Sequence, residues 1–117
     1  MTEKQSPLQK KLQKRKSQKR VTKDDVYSLC EKGYSLNEIA VQLEISPRAA
    51  ATYIERLLRK RYAIGIDRYV PPEKRSEIEE QFLTLQTASI KHIKESMQGN
   101  ATEEEIRIVR GYLQGLQ

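Results

Sequence analysis

Five cationic side chains, Arg48, Arg56, Arg59, Lys60 and Arg61, fall within residues 46–62 against one carboxylate, Glu55, a local net charge of +4. Guanidinium and ammonium groups so placed break no bonds; their common use is to neutralise phosphate. A second basic run occupies residues 1–20, where Lys4, Lys10, Lys11, Lys14, Arg15, Lys16, Lys19 and Arg20 face only Glu3, a net of +7. The formal charge of the whole chain is +6, so everything after residue 20 sums to −1. Beyond the basic run, positive charge is therefore concentrated on one short segment, and that concentration points to nucleic acid more sharply than the total does.

Chemistry of other kinds finds little support. The single histidine, His92, has no Cys, Asp or Glu at metal-ligand spacing, and the single cysteine, Cys30, sits among apolar neighbours in a helical pattern, where it reads as a small buried residue. The acidic groups at 79–80 and 103–105 fall at helix starts or solvated positions, where complementing a helix dipole explains them. There is no glycine-rich phosphate loop and no nucleophile motif. The reading is therefore of a chain that is not an enzyme and needs no cofactor and no metal. Six Tyr and one Phe form no clustered platform for stacking bases, although Tyr53, Tyr62 and Tyr69 are available singly.

The elements that would present the cations are legible between Ser35 and Arg61. Ser35 followed three residues later by Glu38 is a capping-box pattern that opens a helix. Leu36, Ile39, Ala40 and Leu43 then lay an apolar stripe along about two turns of it. Glu44 and Ile45 make a short turn, Ser46 is a second N-cap, and Pro47 stands at the first helical position, where its missing amide hydrogen costs nothing. The second helix is expected to run to about Lys60 with Ala50, Ile54 and Leu57 inward. Its outward face is expected to be Pro47, Arg48, Ala51, Thr52, Glu55, Arg56 and Arg59. Two helices joined by so short a turn make a helix-turn-helix, in which the start of the second helix meets base edges and later cations meet phosphates. A helical hairpin inside any small all-α protein would show the same caps and stripe, and only the basic bias separates the two.

The rest of the chain supports one small all-α domain over residues 21–117, preceded by a disordered basic tail over residues 1–20. That tail is Lys-, Gln- and Ser-rich with only two leucines, too few to offset the entropy of ordering. It suits phosphate contact, a localisation signal or a solvated linker. Thr22 caps a supporting helix with Asp24 and Asp25 in its first turn and Val26, Leu29 and Cys30 inward, ended by Gly33. After Arg61 a connector of about ten residues carries Ile64, Ile66 and Val70 toward the hairpin. Helical spacing resumes at Ile78, Phe82 and Leu85 and again at Ile90, Ile93 and Met97. A further capping box at Thr102 and Glu105 opens a last helix, Glu103 to about Gln114, with Ile106, Val109, Tyr112 and Leu113 inward. No segment approaches the roughly 20 apolar residues of a membrane span and no signal peptide is evident, so the expected location is cytoplasmic, on the nucleoid if the source is bacterial.

Leu29, Gly33, Ser35, Glu38, Ile39 and Ala40, then Ser46, then Ile66 with Asp67, and finally Glu105, Ile106 and Arg107 resemble the helicase-type helix-turn-helix domain found at the C-termini of RecQ-like DNA helicases. The resemblance covers residues 24–115. Where that family has a Thr-Ile and a His-Leu pair in its recognition helix, this chain has Ala49 with Ala50 and Tyr53 with Ile54, so two side chains that would bond bases are replaced. The resemblance implies an accessory, non-catalytic DNA-binding role and allows a helicase motor or another protein as partner. The DNA-contacting set on this reading is Pro47, Arg48, Ala51, Thr52, Glu55, Arg56, Arg59, Lys60 and Arg61, with the tail cations adding phosphate contacts. Two alternatives stay open: a protein-interaction adaptor on the same scaffold, and a small sequence-specific transcription regulator.

Overall fold

A Ser or Thr hydroxyl starts five of the six α-helices in the described residues. The structure is a computed structural model and describes residues 21–116. Thr22, Ser35, Ser46, Ser89 and Thr102 each accept from the backbone amide three residues on, and at Thr22, Ser35 and Thr102 an acidic side chain returns to the cap's own amide. These caps satisfy amides that the first turn leaves without partners, and so fix where each helix begins. The helices are α1 (Lys23–Glu31), α2 (Leu36–Leu43), α3 (Pro47–Arg59), α4 (Pro72–Leu85), α5 (Ile90–Ser96) and α6 (Glu103–Gly115), with a 3-10 turn at Ile66–Arg68 before α4. The fold is all-α, as the spacing predicts.

Gly33 ends α1 with φ +89°, and Glu44 ends α2 in the left-handed region at φ +57°, so a chain reversal follows each helix at once. In the second reversal the Ile45 amide bonds the Ala40 carbonyl at 2.9 Å, which closes α2 before Ser46 opens α3. The α2–α3 pair is thus the expected helix-turn-helix. Val26 and Cys30 of α1, Ile39 and Ala40 of α2, and Ala50, Ile54 and Leu57 of α3 are all buried in one core. Burial pushes the Cys30 thiol pKa up, in keeping with a small apolar role. Ile66 and Val70 are buried and Ile64 is half-buried, as expected of the connector. The connector runs over residues 62–71, about the ten residues expected, and α4 starts at Pro72; Leu85, which shares the helical spacing of Ile78 and Phe82, is 44% exposed at the end of α4.

The largest packing surface in the domain lies between α3 and α6. The two helices run parallel with a constant offset of 55 residues: Arg48 meets Glu103, Glu55 meets Arg110 and Arg59 meets Gln114. Gly111 and Gly115 permit this approach. A Cβ on Gly111 would stand 2.8 Å from the Cα of Glu55 and nearer still to its carbonyl oxygen, and one on Gly115 would strike the Leu58 carbonyl. Helices α4 and α5 then cover the far side of α6 with Ile78, Phe82, Ile93 and Met97.

In an isolated helix Gly→Ala raises stability by about 1 kcal/mol. Here Gly111→Ala is expected to lower it by about 2 kcal/mol, because the methyl group forces two backbones apart. Urea unfolding followed by circular dichroism measures the sign directly.

Candidate nucleic-acid interface

Helix α3 lies between two partners, α1 with α2 on one side and α6 on the other, so only part of its circumference meets solvent. At about 100° per residue, the covered arc takes in Leu57, Ala50, Ile54, Leu58, Ala51 and Glu55, all buried. The open arc carries Arg48, Arg59, Thr52, Arg56, Ala49, Lys60 and Tyr53, each exposed or half-buried. No acidic side chain lies on it.

Two members of the expected outward face are therefore misplaced. Ala51 is fully buried, and Glu55 is only 2% exposed. The cause is α6, which packs over the side of α3 that a two-helix hairpin would leave bare. Pro47, Arg48, Thr52, Arg56, Arg59, Lys60 and Arg61 do lie where solvent reaches them. Arg61 is turned away from the arc, its Nε donating to the Gly115 carbonyl at 2.8 Å. The tail cations Lys10, Lys11, Lys14, Arg15, Lys16, Lys19 and Arg20 lie outside the described residues.

The buried Glu55 carboxylate is clamped. Its Oε2 accepts from Arg110 Nε at 2.6 Å and from Arg59 Nη2 at 3.0 Å, while Arg107 Nη1 stands 3.9 Å from Oε1. Arg59 also donates from Nε to Gln114 Oε1 at 2.6 Å. These contacts hold Arg59 along the edge of the open arc with its side chain 45% exposed. Arg56 stacks 5.9 Å from the Tyr53 ring centroid, and the Tyr53 hydroxyl donates to the Val21 carbonyl at 2.9 Å. The point where the basic run joins the domain is thereby fixed beside the open arc.

At the C-terminal end of the arc, Lys60 meets Lys23 of α1. The Lys23 ammonium, within hydrogen-bonding reach and of like charge, holds the Lys60 pKa below the ordinary lysine value. At the N-terminal end the balance differs. Arg48, 67% exposed, is paired with Glu103 at 2.8 Å, and Glu104 and Glu105 follow in the same first turn of α6. The arc thus grades from a neutralised start to a cationic finish.

Residues 22–110 match the family described as a helix-turn-helix domain. The chain belongs to that family. No curated protein and no solved structure matches it. In helix-turn-helix terms α2 is the first helix and α3 the recognition helix, and the fold is a DNA-binding type. Among the described residues no helix is long and apolar enough to cross a membrane, and no group of three or more His, Cys, Asp and Glu is placed to hold a metal ion.

Sequence reasoning missed Arg107 and Arg110 altogether as partners of the recognition helix. The carboxylate they meet lies some 55 residues away, beyond any local pattern. Two signals did exist. Glu55 is the only acid among the five cations of its segment, and Gly111 and Gly115 recur at a spacing of four on the closing helix, which marks a close approach of backbones. Removing the charge at the centre, by Glu55→Gln, leaves clustered guanidiniums without their counterion and is expected to cost about 3 kcal/mol. Urea unfolding of the two proteins side by side tests this, with Arg56→Ala as a surface control that should lie within about 0.5 kcal/mol of wild type.

Proposed function

We propose that this domain is a non-catalytic module that binds duplex DNA chiefly through backbone phosphates, using Arg48, Thr52, Arg56, Arg59 and Lys60 of the recognition helix. One observation carries the reading: the open arc of α3 bears four cations and no anion, because its only carboxylate is buried beneath α6. The basic run of residues 1–20 would add phosphate contacts from beside Tyr53. Little base preference is expected. Ala49 offers no hydrogen-bonding group, and Arg48, the residue best placed to reach a base edge, is already engaged by Glu103.

The resemblance at Gly33, Ser35, Glu38, Ile39, Ala40, Ile66, Asp67 and Arg107 supports a helicase-related system as the setting, with a cytoplasmic or nucleoid location. A protein partner, whether a helicase motor or another, has separate support. An open groove of about 410 Å³ at the ends of α3 and α6 is lined by Leu58, Tyr62, Ile64, Tyr112 and Leu116 among others. An adaptor would dock there and leave the arc free.

Labelled duplexes of several sequences, titrated against the full chain, separate these readings. Wild type is expected to bind all of them with Kd on the order of 1–100 μM at physiological salt. Arg56→Ala/Arg59→Ala should weaken every sequence equally, with circular dichroism confirming the fold, whereas Arg48→Ala should change the ranking of sequences little. If wild type and the double variant bind alike, the recognition-helix reading fails.

Deleting residues 1–20 should preserve helicity yet flatten the dependence of log K on log salt, by about 0.9 for each phosphate that the tail had neutralised. An unchanged slope would mean that the tail takes no part.

A further inference from the structure

The seam between α3 and α6 holds more positive charge than its own carboxylates balance. Along it run Arg48 and Arg59 from α3 and Arg107 and Arg110 from α6, against Glu103 and Glu55. Four guanidiniums face two carboxylates. Arg48 is satisfied by Glu103, and Arg59 and Arg110 both bond Glu55 Oε2. Arg110 adds a bond from Nη1 to the Ala88 carbonyl at 2.8 Å.

Arg107 is the exception. Its Nη1 approaches Glu55 only at 3.9 Å, longer than a hydrogen bond, and its Nε is buried with no hydrogen-bond partner. A guanidinium left in this state carries charge that its carboxylate balances poorly, and an incoming anion can meet the part of the group that solvent reaches. Its place is set by the register of the helices: with the constant offset of 55 residues, Arg107 stands across from Thr52, between the Arg48 and Arg59 levels of the open arc. Its side chain keeps 22% exposure, so solvent reaches part of the group.

We propose that Arg107 of α6 receives a DNA backbone phosphate over this seam, making the interface a two-helix surface in which α6 contributes directly and does not merely buttress the recognition helix. This rests on the phosphate-binding reading of the α3 arc and extends it to a residue outside the hairpin. Glu55 then has a second task. By neutralising Arg110 and drawing Arg59 along the seam, it leaves the surplus charge at Arg107.

The test uses the full chain and a duplex of about 15 base pairs, long enough to span the recognition helix, titrated across a range of KCl concentrations around physiological salt. Arg107→Gln keeps the planar side chain and removes the charge. It should reduce the salt slope by about 0.9, which amounts to roughly an eightfold loss of affinity at about 0.1 M salt. Arg107→Lys should retain most of the slope. In the wild-type protein, the Arg107 side-chain Nε–Hε resonance should shift when duplex is added, a readout that needs no variant and so survives any failure of Arg107→Gln to fold. An unmoved resonance, or a folded Arg107→Gln protein with wild-type slope, overturns the proposal. If Arg56→Ala still weakens binding in that case, the α3 reading stands alone. If wild type binds no duplex at all, both fall.

Discussion

One buried carboxylate governs this domain. Glu55 is taken out of water between two parallel helices, and it is compatible with the core only because guanidiniums from both helices converge on it. Such an arrangement contributes modestly to net stability, since desolvating the ions offsets much of their attraction. What it provides is registration. With Glu55 fixed against Arg110, and Gly111 and Gly115 lying against the α3 backbone, α6 has little freedom to slide or roll. Two further polar contacts that join the pair, Arg48 to Glu103 and Arg59 to Gln114, fall into the same offset.

The registration shapes the surface as well as the core. A bare helix-turn-helix would show solvent one wide face of its second helix, mixing Glu55 with the arginines. Here α6 removes the acidic edge and leaves a narrower strip of cations, bounded on one side by the seam and on the other by Tyr53 and the entry of the chain at Val21. The strip is asymmetric along its length. Acidic groups in the first turn of α6 complement the helix dipole but also occupy Arg48, while Lys60 and Lys23 crowd at the opposite end, where bringing in an anion relieves repulsion.

How much of this the sequence discloses depends on the range of the interaction. Helix starts are local, and Ser35 with Glu38, Ser46 with Pro47 and Thr102 with Glu105 were all legible, as were the inward positions Ile39, Ala50, Ile54 and Ile106. The hairpin and its cations follow from such signals. Which side of α3 faces solvent does not, because a third helix decides it from 55 residues away, and Ala51 and Glu55 were misplaced for that reason. Ile108 was missed on the same grounds. A helix with partners on more than one side buries a wider stripe than simple amphipathic spacing implies, and Ile108 is 1% exposed.

The parallel pairing of α3 with the last helix also sets an order of events during synthesis. At typical elongation rates of about 5–20 residues per second, the 55 residues separating Glu55 from Arg110 take about 3 to 11 s to add. Until α6 has been added, Ala51, Leu58 and the Glu55 carboxylate have no cover. The nascent hairpin therefore displays a surface that the finished protein conceals, acidic and apolar on the flank where α6 later settles. Docking of α6 both closes the core and covers the one carboxylate of α3, so that the exposed strip of that helix becomes purely cationic only once α6 is in place.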